Sequence, residues 1–168
     1  MYCVMGKEML TSLVDKLNTL CEDLHDDYQI NHGGCCFVAY ILMKNFESIG
    51  IRTELVIEDG CDECDDDNIY YNVKERNTNC GGLGHGTCTH YFIYVPSVNL
   101  WVNANDCEEE DMHYVQDLDS KDVHWIYKTG SWNASFARKH RPMIGRRIKK
   151  VFKEYEDLCK ERDSCWGS

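Results

Sequence analysis

Apolar residues recur at helical spacing in the first fifty positions. Over residues 7 to 24 they follow the i, i+3, i+4 and i+7 pattern, which predicts one amphipathic helix. Residues 35 to 49 form a second helical segment that is apolar on more than one side, so we expect several neighbours to bury it. Gly50 stands where it can cap the C-terminus of that helix. The stripe of the first helix is Leu10, Leu13, Val14, Leu17, Leu20, Cys21 and Leu24.

The pattern changes to that of strands after Gly50. The segment "IRTELVIED" alternates and is β-branched, which predicts a strand near 51–58. "TCTHYFIYV" and "LWVNA", separated by "PSVN", predict a hairpin, and "MHYVQ" and "VHWIYK" are further strand candidates. A last helix is expected from about 142 to 160, with Pro142 in its first turn. Helices followed by antiparallel strands predict an α+β fold.

The length of 168 residues suits one domain, and we expect residues 1–168 to form it. Residues 59–87 interrupt the regular pattern with a polar, glycine-rich and acidic segment. We interpret this segment as a long loop insertion, with a short strand near 69–74.

The composition predicts a folded protein of the cell interior. Hydrophobic residues make up 43% of the chain and aromatic residues 11%. No apolar run approaches the roughly 20 residues of a membrane helix, and the first residues lack the blocks of a secretory signal. The odd count of 11 cysteines then favours reduced thiols in the cytoplasm over a disulfide framework. Two prolines and ten tyrosines fit a viral or a bacterial source equally well.

Charge is divided unevenly along the chain, whose formal net charge is −11. Residues 1–137 carry 8 Lys/Arg against 24 Asp/Glu, whereas residues 138–168 carry 10 against 5. An acidic body repels phosphate backbones, so the balance disfavours general nucleic-acid binding. We interpret the basic segment "RKHRPMIGRRIKK" as a solvated helix face lying against the acidic body.

Cys35 and Cys36 stand at the predicted start of the second helix. A thiol with an ordinary pKa of about 8.5 is only a few per cent thiolate at pH 7, and the thiolate is the nucleophile. A helix N-terminus stabilises an anion by about 0.3 to 1 kcal/mol at exposed sites, which is not enough to make most of the thiol reactive. A reactive cysteine here therefore requires a cationic partner, usually an imidazolium.

His90 is the strongest candidate for that partner because a strand can hold its ring rigidly against the second helix. The alternative is a half-buried strand histidine that a local hydrogen bond satisfies. An orienting Asn or Asp completes such a pair, and "LWVNAND" offers Asn103, Asn105 and Asp106. The two-residue period of a strand puts Asn103 and Asn105 on one face, and Asn105 is our first choice. Each of these residues is also typical of a turn at a strand end.

The segments "GGCCFVAYILMKNFESIGIRTELVIEDG", "THYFIYV" and "LWVNAN" resemble the transglutaminase-like branch of the papain-like cysteine enzymes. In that family a glycine lies two residues before the nucleophile, a small residue lies four after it, and "GI" opens the next strand. Gly33, Ala39 and Gly50 occupy these positions only if Cys35 is the nucleophile. The resemblance therefore selects Cys35 over Cys36, and it covers residues 29–106.

The same resemblance implies the remaining roles. The family's histidine strand and the strand after it match His90 and "WV", which puts Asn105 at the orienting position in place of the more usual Asp. Gln29 stands six residues before Cys35, where papain-like enzymes use a glutamine to hold the oxyanion. The implied fold is a papain-like core with the nucleophile at the N-terminus of a buried helix packed on an antiparallel sheet. A protein or peptide substrate and no cofactor are implied.

A structural zinc site is the competing interpretation of the 59–87 segment and its C-terminal flank. It begins with a C-x2-C pair, and Cys and His are the ligands that tetrahedral zinc takes from loops. If His90 served as a ligand, its catalytic role would be excluded. The candidate ligands are Cys61, Cys64, Cys80 and Cys88, with His85 and His90 beside them.

Two functions follow from these patterns. The first is a cysteine-dependent enzyme that cleaves or transfers an acyl group through a thioester, as a peptidase, deamidase or transglutaminase. The second is an inactive papain-like scaffold that serves as a structural or protein-binding module, with zinc as a stabiliser. The sequence leaves the substrate and the oligomeric state undetermined.

Overall fold

Three α-helices and four β-strands make up the part of the chain that the computed structural model describes, residues 6–31, 34–58, 90–115 and 139–166. The predicted α+β class is confirmed. No helix in these ranges has both the length and the apolar content that crossing a membrane requires. The elements are α1 (Lys7–Tyr28), α2 (Cys35–Ser48), β1 (Glu54–Glu58), β2 (His90–Val95), β3 (Leu100–Val102), β4 (Met112–Val115) and α3 (Arg141–Trp166), with a short 3-10 turn at Glu109–Asp111.

The strands form one antiparallel sheet in the order β3-β2-β1-β4. The predicted hairpin is confirmed, because β2 and β3 pair directly across the segment 96–99. The strand predicted in "MHYVQ" is also present as β4, which pairs with β1. The strands expected near 69–74 and in "VHWIYK" lie outside the described residues.

Successive side chains of β1 and β2 point to opposite faces of the sheet, and one of these faces packs on the helices. Leu55 and Ile57 are buried in the same core as α1, α2 and α3, and Ile93 on β2 joins them. Val56 and Phe92 are register partners and point to the opposite face, where they are also buried. Because both faces of these strands are apolar, their sequences read as continuous hydrophobic runs.

Helix α1 is longer than the apolar stripe predicted. It continues to Tyr28 and ends at Gln29, whose φ of 54° is left-handed and whose N–H donates to the carbonyl of His25 at 2.7 Å. The extra turn is polar and exposed, so hydrophobic periodicity carried no signal for it.

Helix α2 was predicted at residues 35–49 and is observed at Cys35–Ser48. Its C-terminus was predictable because a glycine caps it. Gly50 has a φ of 75°, a region that side chains with a Cβ rarely adopt. Its N–H donates to the carbonyl of Glu47 at 3.0 Å, and the N–H of Ile51 donates to that of Phe46 at 3.0 Å. This pair of bonds is the Schellman motif, so the expected glycine cap is confirmed.

Helix α3 begins one residue before Pro142, as the sequence indicated, and extends past residue 160 to Trp166. Its Phe152 ring meets Phe46 of α2 edge-on, with centroids 4.9 Å apart. Near its start, Arg147 donates to Asp27 of α1 at 2.6 Å, in agreement with a basic segment lying against an acidic neighbour. The buried positions of α3 are Ile144, Ile148, Phe152, Tyr155 and Cys159.

Candidate functional site

Cys35 is the first residue of α2 and is only 5% exposed. Gly34 caps the helix start: its N–H donates to the carbonyl of Ile30 at 2.7 Å, and its own carbonyl accepts from the N–H of Val38 at 3.1 Å. Cys35 thus stands at the N-terminus of a buried helix that packs on the sheet.

Burial raises the pKa of the Cys35 thiol, although hydrogen bonds from the backbone N–H groups of Tyr91, Cys36 and Cys35 itself lower it in part. The loss of water around the sulfur outweighs the three N–H donors, so the helix N-terminus does not by itself give the lowered pKa that a reactive cysteine requires. The contact with Tyr91 also locates the sulfur beside the main chain that follows His90.

Cys36 differs from its neighbour in one respect. Burial raises its pKa well above the ordinary value, the charge of Cys35 raises it further, and no N–H donor opposes the rise. The backbone donors therefore select Cys35 as the thiol whose anion is easier to form. The choice between the two cysteines was drawn from a resemblance alone, and this electrostatic difference points the same way.

His90 is the first residue of β2 and is 9% exposed. Its Nε2 lies 2.6 Å from the carbonyl oxygen of Asn103, and its ring stacks on Phe92 with centroids 5.5 Å apart. Burial lowers the pKa of His90; the bond to Asn103 and the charge of Glu58 raise it, and His25 lowers it. A carbonyl oxygen only accepts hydrogen bonds, so Nε2 carries the proton and Nδ1 is the unprotonated, basic nitrogen.

The two candidate catalytic residues are neighbours without a direct bond. The sulfur of Cys35 contacts the N–H of Tyr91, while the His90 ring shares the opposite side of β2 with Phe92. Within the described residues, no hydrogen bond joins the Cys35 sulfur to the His90 ring. With the thiol pKa raised and the imidazole pKa lowered, both groups are neutral in this state.

The end of β3 approaches His90 in a way that the strand period did not predict. The strand ends at Val102, and Asn103 and Asn105 have left-handed φ values of 65° and 50°. The expectation that they share one strand face is therefore wrong, since the chain turns there. Asn105 still lies beside His90, with Nδ2 3.5 Å from Nε2. Asn103, one of the three candidates from the sequence, contacts the ring through its main-chain carbonyl, a group that sequence reasoning did not consider.

Gln29 lies at the C-terminal cap of α1 with an exposed side chain. The left-handed turn at this residue sends the chain through Ile30, which is fully buried, towards Cys35. The turn thus sets the path between the two residues that the family resemblance pairs.

Two of the cavities between the described elements differ in their distance from this site. One of about 340 Å³ is lined by Asn18, Glu22, Trp101, Asn103 and Asn105, beside the end of β3. A larger one of about 740 Å³ lies at the opposite end of α2, lined by residues that include Ile49, Val98 and Tyr155. The smaller cavity is the one that belongs to the candidate site.

The candidate zinc ligands Cys61, Cys64, Cys80, Cys88 and His85 lie outside the described residues. Across residues 6–31, 34–58, 90–115 and 139–166, no group of three or more His, Cys, Asp or Glu side chains is arranged to hold a metal ion.

Comparison of the chain with protein-family models, with curated proteins and with solved structures returns no match.

Proposed function

We propose that the protein is a cysteine-dependent enzyme that acts on amide bonds of proteins or peptides through a thioester, on a transglutaminase-like core. One observation supports this proposal above the others: the sulfur of Cys35, at the start of a buried helix, receives the N–H of the residue that follows His90. The start of α2 contacts β2 through this N–H, and the asparagine turn at the end of β3 contacts His90 at the start of β2.

The reaction proceeds in two stages. His90 Nδ1 takes the thiol proton as the Cys35 sulfur attacks the amide carbon, and the protonated ring gives that proton to the leaving amine as the C–N bond breaks. Water or a second amine then attacks the thioester, and the thiol regains a proton. Water yields an acid and an amine yields a new amide, so hydrolysis and transfer share every residue.

Charge in this mechanism develops only during the attack. Because the resting thiol and imidazole are both neutral, the proton moves when the substrate carbonyl is already present. Bringing Nδ1 to the sulfur requires the His90 ring to turn about its side-chain torsions, so the bond from Nε2 to the Asn103 carbonyl sets the tautomer of the resting ring and is released on turning. The N–H of Cys35 and the Gln29 amide are the proposed donors to the oxyanion.

A second function is favoured by a different observation. Cys35 and His90 are buried, neutral and not hydrogen-bonded to each other. A papain-like scaffold that binds a partner without turnover does not require a hydrogen bond between these two side chains or a charge on either of them. In that case the Asn103 bond satisfies His90 as a structural histidine.

Competitive labelling separates the two functions. The protein is treated at pH 7 with limiting iodoacetamide, and fragmentation mass spectrometry locates the label at position 35 or 36. If the protein is an enzyme, Cys35 should be labelled faster than Cys36 in wild type. The rate at Cys35 should be kept in Cys36→Ser and should be lower in His90→Ala. Equal rates at the two thiols, unaffected by His90→Ala, would support the binding module.

Turnover is then measured on a pool of unstructured peptides with and without a fluorescent primary amine. Mass spectrometry distinguishes cleavage, loss of ammonia and amine incorporation in a single sample. Since a general acid–base group contributes about 10² to 10⁴ in rate, His90→Ala should lose most of the activity and Cys35→Ser all of it. Cys36→Ser is the matched control with the same change of residue type.

A further inference from the structure

The amide of Asn18 on α1 holds the end of β3 by two hydrogen bonds. Its Nδ2 donates to the carbonyl of Trp101 at 2.9 Å, and its Oδ1 accepts from the N–H of Asn103 at 2.9 Å. Strand β3 is an edge of the described sheet. The side chain thus takes the place of a peptide group on a neighbouring strand and binds residues 101 and 103 together.

Every polar group of Asn103 except the side-chain Oδ1 forms a hydrogen bond within the described residues. Its N–H bonds to Asn18, its carbonyl accepts from His90 at 2.6 Å, and its side-chain Nδ2 donates to Asn31 at 3.2 Å. It is 3% exposed with a φ of 65°, a conformation that asparagine adopts more readily than most residues. This left-handed turn is what directs the carbonyl towards the ring of His90.

We propose that Asn18 is a positioning residue for His90, acting through the main-chain carbonyl of Asn103. By fixing the N–H of Asn103, Asn18 fixes the plane of the chain at that turn and so the direction of the carbonyl. The carbonyl in turn keeps the proton on His90 Nε2 and leaves Nδ1 free as a base. The inference rests on the proposed function for its catalytic meaning, whereas the tautomer can be measured in a protein without activity.

This assignment differs from the one that the sequence suggested. Asn105 has its amide 3.5 Å from Nε2, a longer contact than the 2.6 Å of the Asn103 carbonyl. The shorter contact, to a residue that two further hydrogen bonds hold in place, sets the tautomer. Asn105 then contributes to the surroundings of the ring without selecting its protonated nitrogen.

A purely structural role for Asn18 is the alternative, since the same two bonds attach α1 to the sheet. Loss of that attachment lowers stability but leaves the protonated nitrogen of His90 unchanged. The test therefore reads the ring itself. Among the described residues, the titratable groups that act on His90 are Glu58 from β1 and His25 from α1, so all variants keep both.

Long-range ¹H–¹⁵N correlation spectra report which ring nitrogen of each histidine carries the proton, and His90→Gln identifies the His90 signals by their loss. We expect one tautomer, protonated at Nε2, in wild type and a mixture of tautomers in Asn18→Ala. The matched control is Asn45→Ala, because Asn45 is another half-buried helix asparagine whose amide donates to a carbonyl, that of Ile41 at 2.8 Å. Asn45→Ala and Asn105→Ala should both keep the single tautomer.

Asn18→Asp covers the case in which the alanine variant does not fold. It keeps the acceptor for the Asn103 N–H and removes the donor to Trp101, so it should retain Nε2–H. A single Nε2–H tautomer in folded Asn18→Ala would overturn the proposal. So would a mixture caused by Asn105→Ala alone, since that result assigns the role to the Asn105 amide.

Labelling of Cys35 separates this proposal from the proposed function. If wild-type Cys35 is reactive, Asn18→Ala should slow its labelling by at least about tenfold, because an imidazole in the wrong tautomer is a poor base. If wild-type Cys35 is inert but Asn18→Ala still mixes the tautomers, the enzyme proposal fails while the positioning of His90 stands. If Cys35 is reactive and the His90 signals do not respond to Asn18→Ala, only the positioning inference fails.

Discussion

Glu58 on β1 is the register partner of His90 on β2, and its carboxylate accepts a hydrogen bond from the thiol of Cys107 at 3.1 Å. Burial and this bond raise the pKa of Cys107 to about 12, with the charge of Glu58 adding to the rise. The same charge opposes the effect of burial on the pKa of His90. One carboxylate therefore raises the pKa of a thiol and of the candidate catalytic ring, because its charge disfavours the thiolate and favours the imidazolium.

Glu58→Gln should lower the pKa of both groups. Without the negative charge, thiolate formation at Cys107 becomes easier and protonation of His90 becomes harder. Each unit of fall in the Cys107 pKa raises its thiolate fraction about tenfold well below that pKa, so its alkylation at pH 9 accelerates. Glu54→Gln is the control, because it removes the same charge from the same strand opposite Tyr94. Equal Cys107 rates in the two variants would contradict the prediction.

The stability of the protein should fall below neutral pH through His90. Its pKa in the folded state is lowered, chiefly by burial, so the unfolded chain binds the proton first. This contribution to the free energy of unfolding is complete above the unfolded pKa of about 6.5 and is lost as pH falls towards the folded value. Urea titrations at pH 7 and pH 5 should show a smaller loss in His90→Gln than in wild type. An equal loss would show that His90 does not carry this pH dependence.

Two glycine substitutions should change stability in opposite directions. Gly50→Ala places a Cβ at a φ of 75° in the cap of α2 and should cost about 1 to 2 kcal/mol. Gly145→Ala lies inside α3, where a Cβ meets no atom within 4 Å, and should stabilise by about 0.5 to 1 kcal/mol. Urea unfolding of both variants measures the two changes. A gain at Gly50→Ala would refute the assigned cap.

The packing of α3 on α2 should carry a large share of the stability. Phe152 is 2% exposed and contacts Phe46 edge-on, so Phe152→Ala should cost about 3 to 5 kcal/mol. Leu158 on the same helix is 47% exposed, and Leu158→Ala should change the free energy of unfolding by less than about 0.5 kcal/mol. The urea midpoints of the two variants test the contrast. Similar losses at both positions would mean that α3 does not pack as described.

The sequence predicted elements well where one local rule decided them. Helix α2 required only an apolar segment between two glycine turns, and the β2–β3 hairpin required only alternation on either side of "PSVN". The ends of α1 and α3 were missed because their last turns are polar, and polar turns contribute nothing to a hydrophobic period.

The sequence indicated which side chains to consider for the candidate site. It did not indicate which atoms of these residues contact each other. The sequence named Cys35, His90 and Asn105 together; in the structure the Cys35 sulfur contacts the N–H of Tyr91, which follows His90, and the Asn105 amide lies beside the His90 ring. The Asn103 carbonyl was invisible because every residue has one, and only a left-handed turn aims this one at the ring. The rise in the Cys35 pKa could not be predicted from the sequence because burial depends on neighbours from the whole fold. Asn18 did leave a signal, since it interrupts the apolar face between Val14 and Cys21.

The acceptor for His90 is an atom of the polypeptide backbone, and this has a genetic consequence. No single codon change at position 103 can delete a main-chain oxygen, so glycine or aspartate there can keep the turn and the bond. Substitutions that weaken the hydrogen bond to His90 should instead be found at Asn18, a helix residue that is distant from position 103 in the sequence. Relatives of this protein would then be recognised by a helix asparagine paired with a permissive turn.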